Sequence, residues 1–130
     1  MSDEILYLTL CALLTAVLWI PYILALIAQM GLVPALMDTQ HEFRLEHAWA
    51  RRAQRTHSNA VENLVVFAAL IIAVELTQSG NETTAAAAMI YFISRVAHAG
   101  IYLARIPVAR TIVFFIGFVC QIVIGVEILT

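Results

Sequence analysis

Residues 5–28 read ILYLTLCALLTAVLWIPYILALIA, a run from Ile5 to Ala28 with no Asp, Glu, Lys, Arg or His in it. A segment that crosses the hydrocarbon of a bilayer needs about 20 mainly apolar residues, and this one meets that requirement. Two more stretches read the same way, Thr84–Ile106 and Val108–Leu129. A fourth apolar core, Ala60–Leu76, continues a charged, helix-compatible run upstream and places a span at about 58–77. In lipid every backbone N–H and C=O must be paired within the protein, so runs of this length are helices; barrel strands would alternate in short blocks. The expected fold is all-α, an integral membrane four-helix bundle forming one domain over residues 1–130, with spans near 5–28, 58–77, 84–106 and 108–129.

Composition agrees. The chain of 130 residues is 62% hydrophobic and 12% charged, with a mean hydropathy of +0.90. Soluble domains are about 45–50% apolar, and a water-soluble core of this size could not hide the excess. The first run does not read as a cleaved signal peptide, because Asp3 and Glu4 stand where positive charge is needed and the apolar run is too long. Pro21 removes a backbone donor inside it and predicts a bend. Cys11 and Cys120 lie in different apolar spans and have no metal-ligand or disulfide spacing, so they read as small core residues.

All the basic side chains are arginines, and they are unevenly placed. Arg44, Arg51, Arg52 and Arg55 precede or open the second span, and Arg105 and Arg110 flank Pro107 between the third and fourth. The N-terminus, the 75–84 turn and the C-terminal end hold Asp3, Glu4, Glu75, Glu82 and Glu127 and no arginine. By the positive-inside rule both arginine-bearing loops face the cytoplasm and both termini lie on the non-cytoplasmic side. Trp19, Tyr22 and Trp49 suit the headgroup level of the arginine side. Gly31, Pro34 and Asp38 break the chain after the first span, and helical pattern resumes near Leu45. At Ser79-Gly80-Asn81, Gly80 reads as the stop of one helix and Asn81 or Thr83 as the cap of the next.

Polar residues inside spans are costly, about 2.5–3.5 kcal/mol each on insertion scales, and here they recur at helical spacing. Arg52, Arg55, Asn59 and Glu62 are spaced 3, 4 and 3; Tyr91, Arg95, His98, Tyr102 and Arg105 are spaced 4, 3, 4 and 3. Each set reads as one helix face, and the two faces are expected to meet, with Glu62 near Arg95 and Asn59 near His98. Interhelical glue is one explanation for the inner members. It explains less of Arg52, Arg55, Tyr102, Arg105 and Arg110, because clustered cations repel unless an anion sits among them. A pocket for a small anion, entered from the cytoplasm, is the second explanation. His41, His47 and His57 have no zinc-site spacing. They read as solvated or interfacial groups, and no metal site is expected. A proton-coupled exporter would need an ionisable residue within the first span, where there is none.

The run Arg52-Ala53-Gln54-Arg55-Thr56-His57-Ser58-Asn59-Ala60-Val61-Glu62-Asn63 resembles the signature of the MAPEG family, the membrane-associated proteins of eicosanoid and glutathione metabolism. Arg55, Asn59 and Glu62 fit its pattern. Arg95-Val96-Ala97-His98, Tyr102-Leu103, Arg105, Pro107 and Arg110-Thr111 are similar to the corresponding stretch of the family's prostaglandin synthases. The resemblance implies a homotrimer of four-helix subunits in contact with membrane lipids, with no nucleic-acid partner. It implies glutathione as co-substrate, held between subunits and open to the cytoplasm, with a lipophilic electrophile arriving from the bilayer. Carried over, Arg52, Arg55, Asn59, Glu62, Arg95, His98 and Tyr102 would bind glutathione. Arg110 with Tyr102 would be catalytic, Arg110 stabilising the thiolate, with Arg105 the runner-up for that role. Asn63 follows Glu62 as in the broad glutathione transferase branch, which favours a general transferase or peroxidase. The family also contains a non-catalytic lipid-binding protein, so a scaffold is the alternative. A short chain without a retention signal points to a bacterial inner membrane.

Overall fold

The structure, a computed structural model, describes residues 1–38 and 44–130. The described residues are helical throughout, apart from turns: α1 (Asp3–Val17), α2 (Ile20–Met30), α3 (Leu32–Met37), α4 (Ala48–Thr77), α5 (Glu82–Leu103) and α6 (Pro107–Leu129). Four segments are long and apolar enough to cross a membrane: Asp3–Met30, which takes in α1 and α2, then α4, α5 and α6.

The first span breaks where Pro21 requires it. A helix through this point would need the Pro21 N–H to bond the Val17 carbonyl, and the ring would press on that carbonyl. The helix accordingly stops at Val17 and restarts at Ile20, with Pro21 in the first turn, where a missing donor costs nothing. Gly31 ends α2 at φ +88°, a value that side chains with a Cβ rarely adopt. The α4–α5 turn differs from the sequence reading. The left-handed residue is Gln78 at φ 53°, two positions before Gly80, so α4 closes on a glutamine. Asn81 does cap α5, its side chain accepting from the Thr83 and Thr84 amides while Thr84 Oγ1 accepts from the Asn81 amide.

Inside the bundle Cys11, Phe67, Ile71, Val74, Ala87, Ala88, Tyr91, Cys120 and Ile124 form one core, with Phe67 stacked on Tyr91 at 3.9 Å between ring centroids. Both cysteines are buried and free. α5 and α6 approach closely at Gly117, where a Cβ would stand 3.1 Å from Ser94 Oγ. The outer surface is apolar, with Val65 67% and Phe115 59% exposed. In lipid that surface is at home and supplies no force between helices, so packing and polar ties hold the bundle, each tie being worth about 0.6–2 kcal/mol. One such tie is Gln121 Nε2, on α6, donating to the Asn63 carbonyl of α4 at 3.3 Å.

Candidate functional site

A helix turns about 100° per residue, so the four polar positions of α4 do not share one line. Arg52 and Asn59 fall within about 20° of each other, as do Arg55 and Glu62, and the two pairs are offset by roughly 60°. The structure divides them that way. Arg52 and Asn59 are half-buried on the inner edge, while Arg55 and Glu62 are exposed on the outer edge. On α5, Tyr91, Arg95, His98 and Tyr102 stay within about 60°, and the first three are buried.

The two stripes meet with a different partner choice from the one their spacing suggests. Arg95 Nη2 donates to Asn59 Oδ1 at 2.6 Å, and no ion pair joins Arg95 to Glu62 among the described residues. Glu62 is exposed. His98, 3% exposed, does not reach Asn59. Its ring packs against Tyr102 at 5.8 Å and Phe114 at 6.2 Å, and its Nδ1 has no hydrogen-bond partner. Arg95 and His98 line a small internal cavity of about 10 Å³ beside Cys11, Thr56 and Tyr91. They form an inner layer, apart from the arginine cavity described next.

That cavity, about 830 Å³, opens at the end of the bundle where α2 finishes and α4 begins. Arg51, Arg52 and Arg55 of α4, Arg44 from the segment before it and Arg105 from the α5–α6 turn supply guanidinium groups, with Asp38 the acidic residue on the wall. Tyr22, Ile23 and Leu26 of α2 form an apolar side, and Tyr102 completes the lining. A smaller cavity of about 220 Å³ shares Arg52, Tyr102 and Arg105 with it and adds Ile106, Pro107 and Arg110. The guanidinium of Arg110 lies 5.1 Å from the centroid of the Tyr102 ring, a cation–π contact. Arg110 and Arg105 therefore share a wall with the same tyrosine, and of the two only Arg105 lines both spaces.

Three features leave this end strained or unsatisfied. Helices α4 and α6 both begin here, and neither N-cap residue, His47 or Ile106, makes a side-chain cap. Their amide ends carry positive partial charge, which ordinarily attracts acids; here arginines occupy the first turns instead. Arg105 holds φ +64°, a left-handed conformation for a residue with a Cβ, at a cost of roughly 1–2 kcal/mol. Arg52 Nε is a buried donor with no partner, and a buried donor left unmade costs about 1–3 kcal/mol. An oxyanion against Arg52 would relieve both the repulsion and the unmade bond.

Not every arginine is available for that. Arg51 Nη1 donates to the carbonyls of Leu45 and Glu46, both at 2.7 Å, and so braces the chain entering α4. Gln29 braces it from α2, its amide donating to the Arg44 carbonyl at 2.7 Å and accepting from the Glu46 amide at 2.9 Å. Sequence reasoning assigned Arg44 and Arg51 to orientation alone and gave Tyr22 an interfacial role. All three line the cavity. No local pattern announces this, because it depends on where α2 crosses α4. His57, off the stripe, pairs through Nδ1 with Tyr22 Oη at 2.8 Å, and His47 stacks on Trp49. His41 lies outside the described residues. No group of three or more metal-ligating side chains occurs among the described residues.

Comparison with known proteins gives one match, and it is broad. The MAPEG family pattern covers residues 5–130, nearly the whole chain. Neither the curated proteins nor the solved structures yield a match.

Proposed function

Because this chain belongs to the MAPEG family, membrane proteins of eicosanoid and glutathione metabolism, we propose that it is a glutathione-binding membrane enzyme. In this reading it conjugates lipophilic electrophiles or reduces lipid hydroperoxides, using a glutathione thiolate stabilised by the arginine cavity. The observation that carries the reading is Arg52, with a buried unpartnered donor in a wall shared with Arg55, Arg105 and Tyr102.

Glutathione has two carboxylates, one ammonium and one thiol, and the side chains present fit that set. Arg52 and Arg55 meet carboxylate oxygens, for which planar guanidinium groups are well shaped. Glu62 is the counterpart for the ammonium. It is exposed on the protomer at span depth, where an uncovered carboxylate is costly. Burial of that face against a second copy, in the homotrimer the family resemblance implies, would bring Glu62 to a neighbour's cavity. Bound glutathione supplies the reacting sulfur, so the protein needs no nucleophile of its own. A free thiol has a pKa of about 8.5, and adjacent cations lower it. In this reading Arg110 and Arg105, which share a cavity wall with Tyr102, do this, and the Tyr102 hydroxyl donates to the sulfur. Asn59 with Arg95, and His98 behind Tyr102, hold the wall in position. The arginine end faces the cytoplasm in this reading, with both termini outside, in a bacterial inner membrane.

The test is calorimetric titration of glutathione into detergent-solubilised protein, wild type against Arg55→Ala. Wild type should bind and Arg55→Ala should bind weakly or not at all. If neither binds, the reading fails. Binding without turnover on any electrophile or lipid hydroperoxide would favour a non-catalytic lipid-binding protein.

A further inference from the structure

α3 is apolar from end to end, LVPALM over Leu32–Met37, and none of its residues is buried. Leu32 is 56% exposed, Val33 67%, Leu36 71% and Met37 74%. Exposed apolar residues scattered singly need no explanation, but a contiguous set marks a surface that something covers.

The covering partner follows from the position of α3 in the chain. Asp3–Met30 runs 28 residues in the two helices α1 and α2, against about 20 helical residues needed to cross the hydrocarbon core. The chain has therefore reached the headgroup zone by Met30. There Gly31, at φ +88° and ψ 161°, ends the span, so α3 is a separate element and not a continuation of it. It comes directly after α2 in the chain, where Ile20 and Leu24 are also exposed on a membrane-spanning segment. Downstream, Arg44 is exposed, and Trp49 is exposed and stacked on His47. Indole rings and arginines are the side chains that favour the headgroup level.

We infer that α3 is an interfacial foot, seated in the boundary between headgroups and acyl chains on the arginine side, with the phospholipid surface itself as its partner. Helices that lie in that boundary bury an apolar face about 5–10 Å deep. The foot fixes the depth of α2, and with it the level at which Tyr22, Ile23 and Leu26 line the cavity. An amphiphile dissolved in the same boundary layer then meets the cavity wall without first crossing water.

The test uses the full chain in phosphatidylcholine vesicles, with Trp19 and Trp49 changed to Phe and one reporter introduced, Leu36→Trp. The expected result is blue-shifted emission that is lost when the lipids carry bromine high on their acyl chains and that survives iodide in the buffer. Loss to iodide without loss to brominated lipid places α3 in water and overturns the inference. Survival against both quenchers means protein covers α3, a second copy included, and overturns it equally. Met37→Trp is the second reporter, read the same way, should the first variant lose its helical circular dichroism.

Discussion

The two ends of the bundle carry opposite charge and use it in opposite ways. At the acidic end the charges are spent on joining helices. Glu4 of α1 accepts from Thr84 of α5, Ser2 at the start of α1 donates to Glu75 of α4, and Asn81 at the start of α5 donates to Glu127 of α6 at 2.7 Å. Three hydrogen bonds thus link all four spans. The helices that begin there, α1 and α5, are capped by Ser2 and Asn81 and carry Asp3, Glu4 and Glu82 in their first turns, as the helix dipole favours. At the arginine end α4 and α6 begin without side-chain caps, their first turns are basic, and Arg52 keeps an unmade buried bond. One end joins its helices with hydrogen bonds; the other keeps clustered cations and an unmade buried donor, which a bound anion would relieve. Local consistency marks the structural end, and local inconsistency marks the site.

Substitutions can break this comparison, and the largest effect is expected at the unsatisfied end. Arg52→Ala should weaken glutathione binding roughly 10–100-fold, the loss of one charge-assisted hydrogen bond at about 1.5–3 kcal/mol, while the thermal midpoint in detergent holds or rises. A fall in stability with binding intact would make Arg52 structural. Glu4→Ala should do the reverse. It removes the hydrogen bond that ties α1 to Thr84 of α5 and should cost about 0.6–2 kcal/mol of unfolding free energy, with glutathione affinity unchanged by titration. The smallest effects compare the two turns. Gln78 and Arg105 are the described non-glycine residues at positive φ, one at each end. Glycine relieves a left-handed cost of roughly 1–2 kcal/mol but loses about 0.5–1 in chain entropy, for a net gain of about 0.5–1 kcal/mol at either position. Gln78→Gly should gain that and nothing else. Arg105→Gly should gain the same stability and bind glutathione less well. Equal binding by both would remove Arg105 from the site.

Much of this could be read from the sequence because the bilayer imposes strong rules. The apolar runs show four spans, Pro21 locates the break in the first, and Asn81 caps the third. Periodicity is less informative where two helices meet. It identified the faces bearing Arg52, Asn59, Arg95 and His98 but not their relative height, so Asn59, not Glu62, receives Arg95. Spacings of 3, 4 and 3 also join residues up to about 80° apart, which hid the division between Arg52 with Asn59 and Arg55 with Glu62. The positive-φ turn at Gln78 escaped because glycine two residues on is the commoner stop. Tyr22 and Arg51 entered the cavity through long-range crossing and bracing that no short window contains.

The double contact of Gln29 also bears on engineering. One amide fastens the end of α2 to the chain entering α4, so the connection from Gln29 to Arg44 is already closed at both ends. Lengthening such a closed loop is inexpensive, about 0.6 kcal/mol for each doubling. An epitope or purification tag placed after Asp38 should therefore leave the four spans assembled.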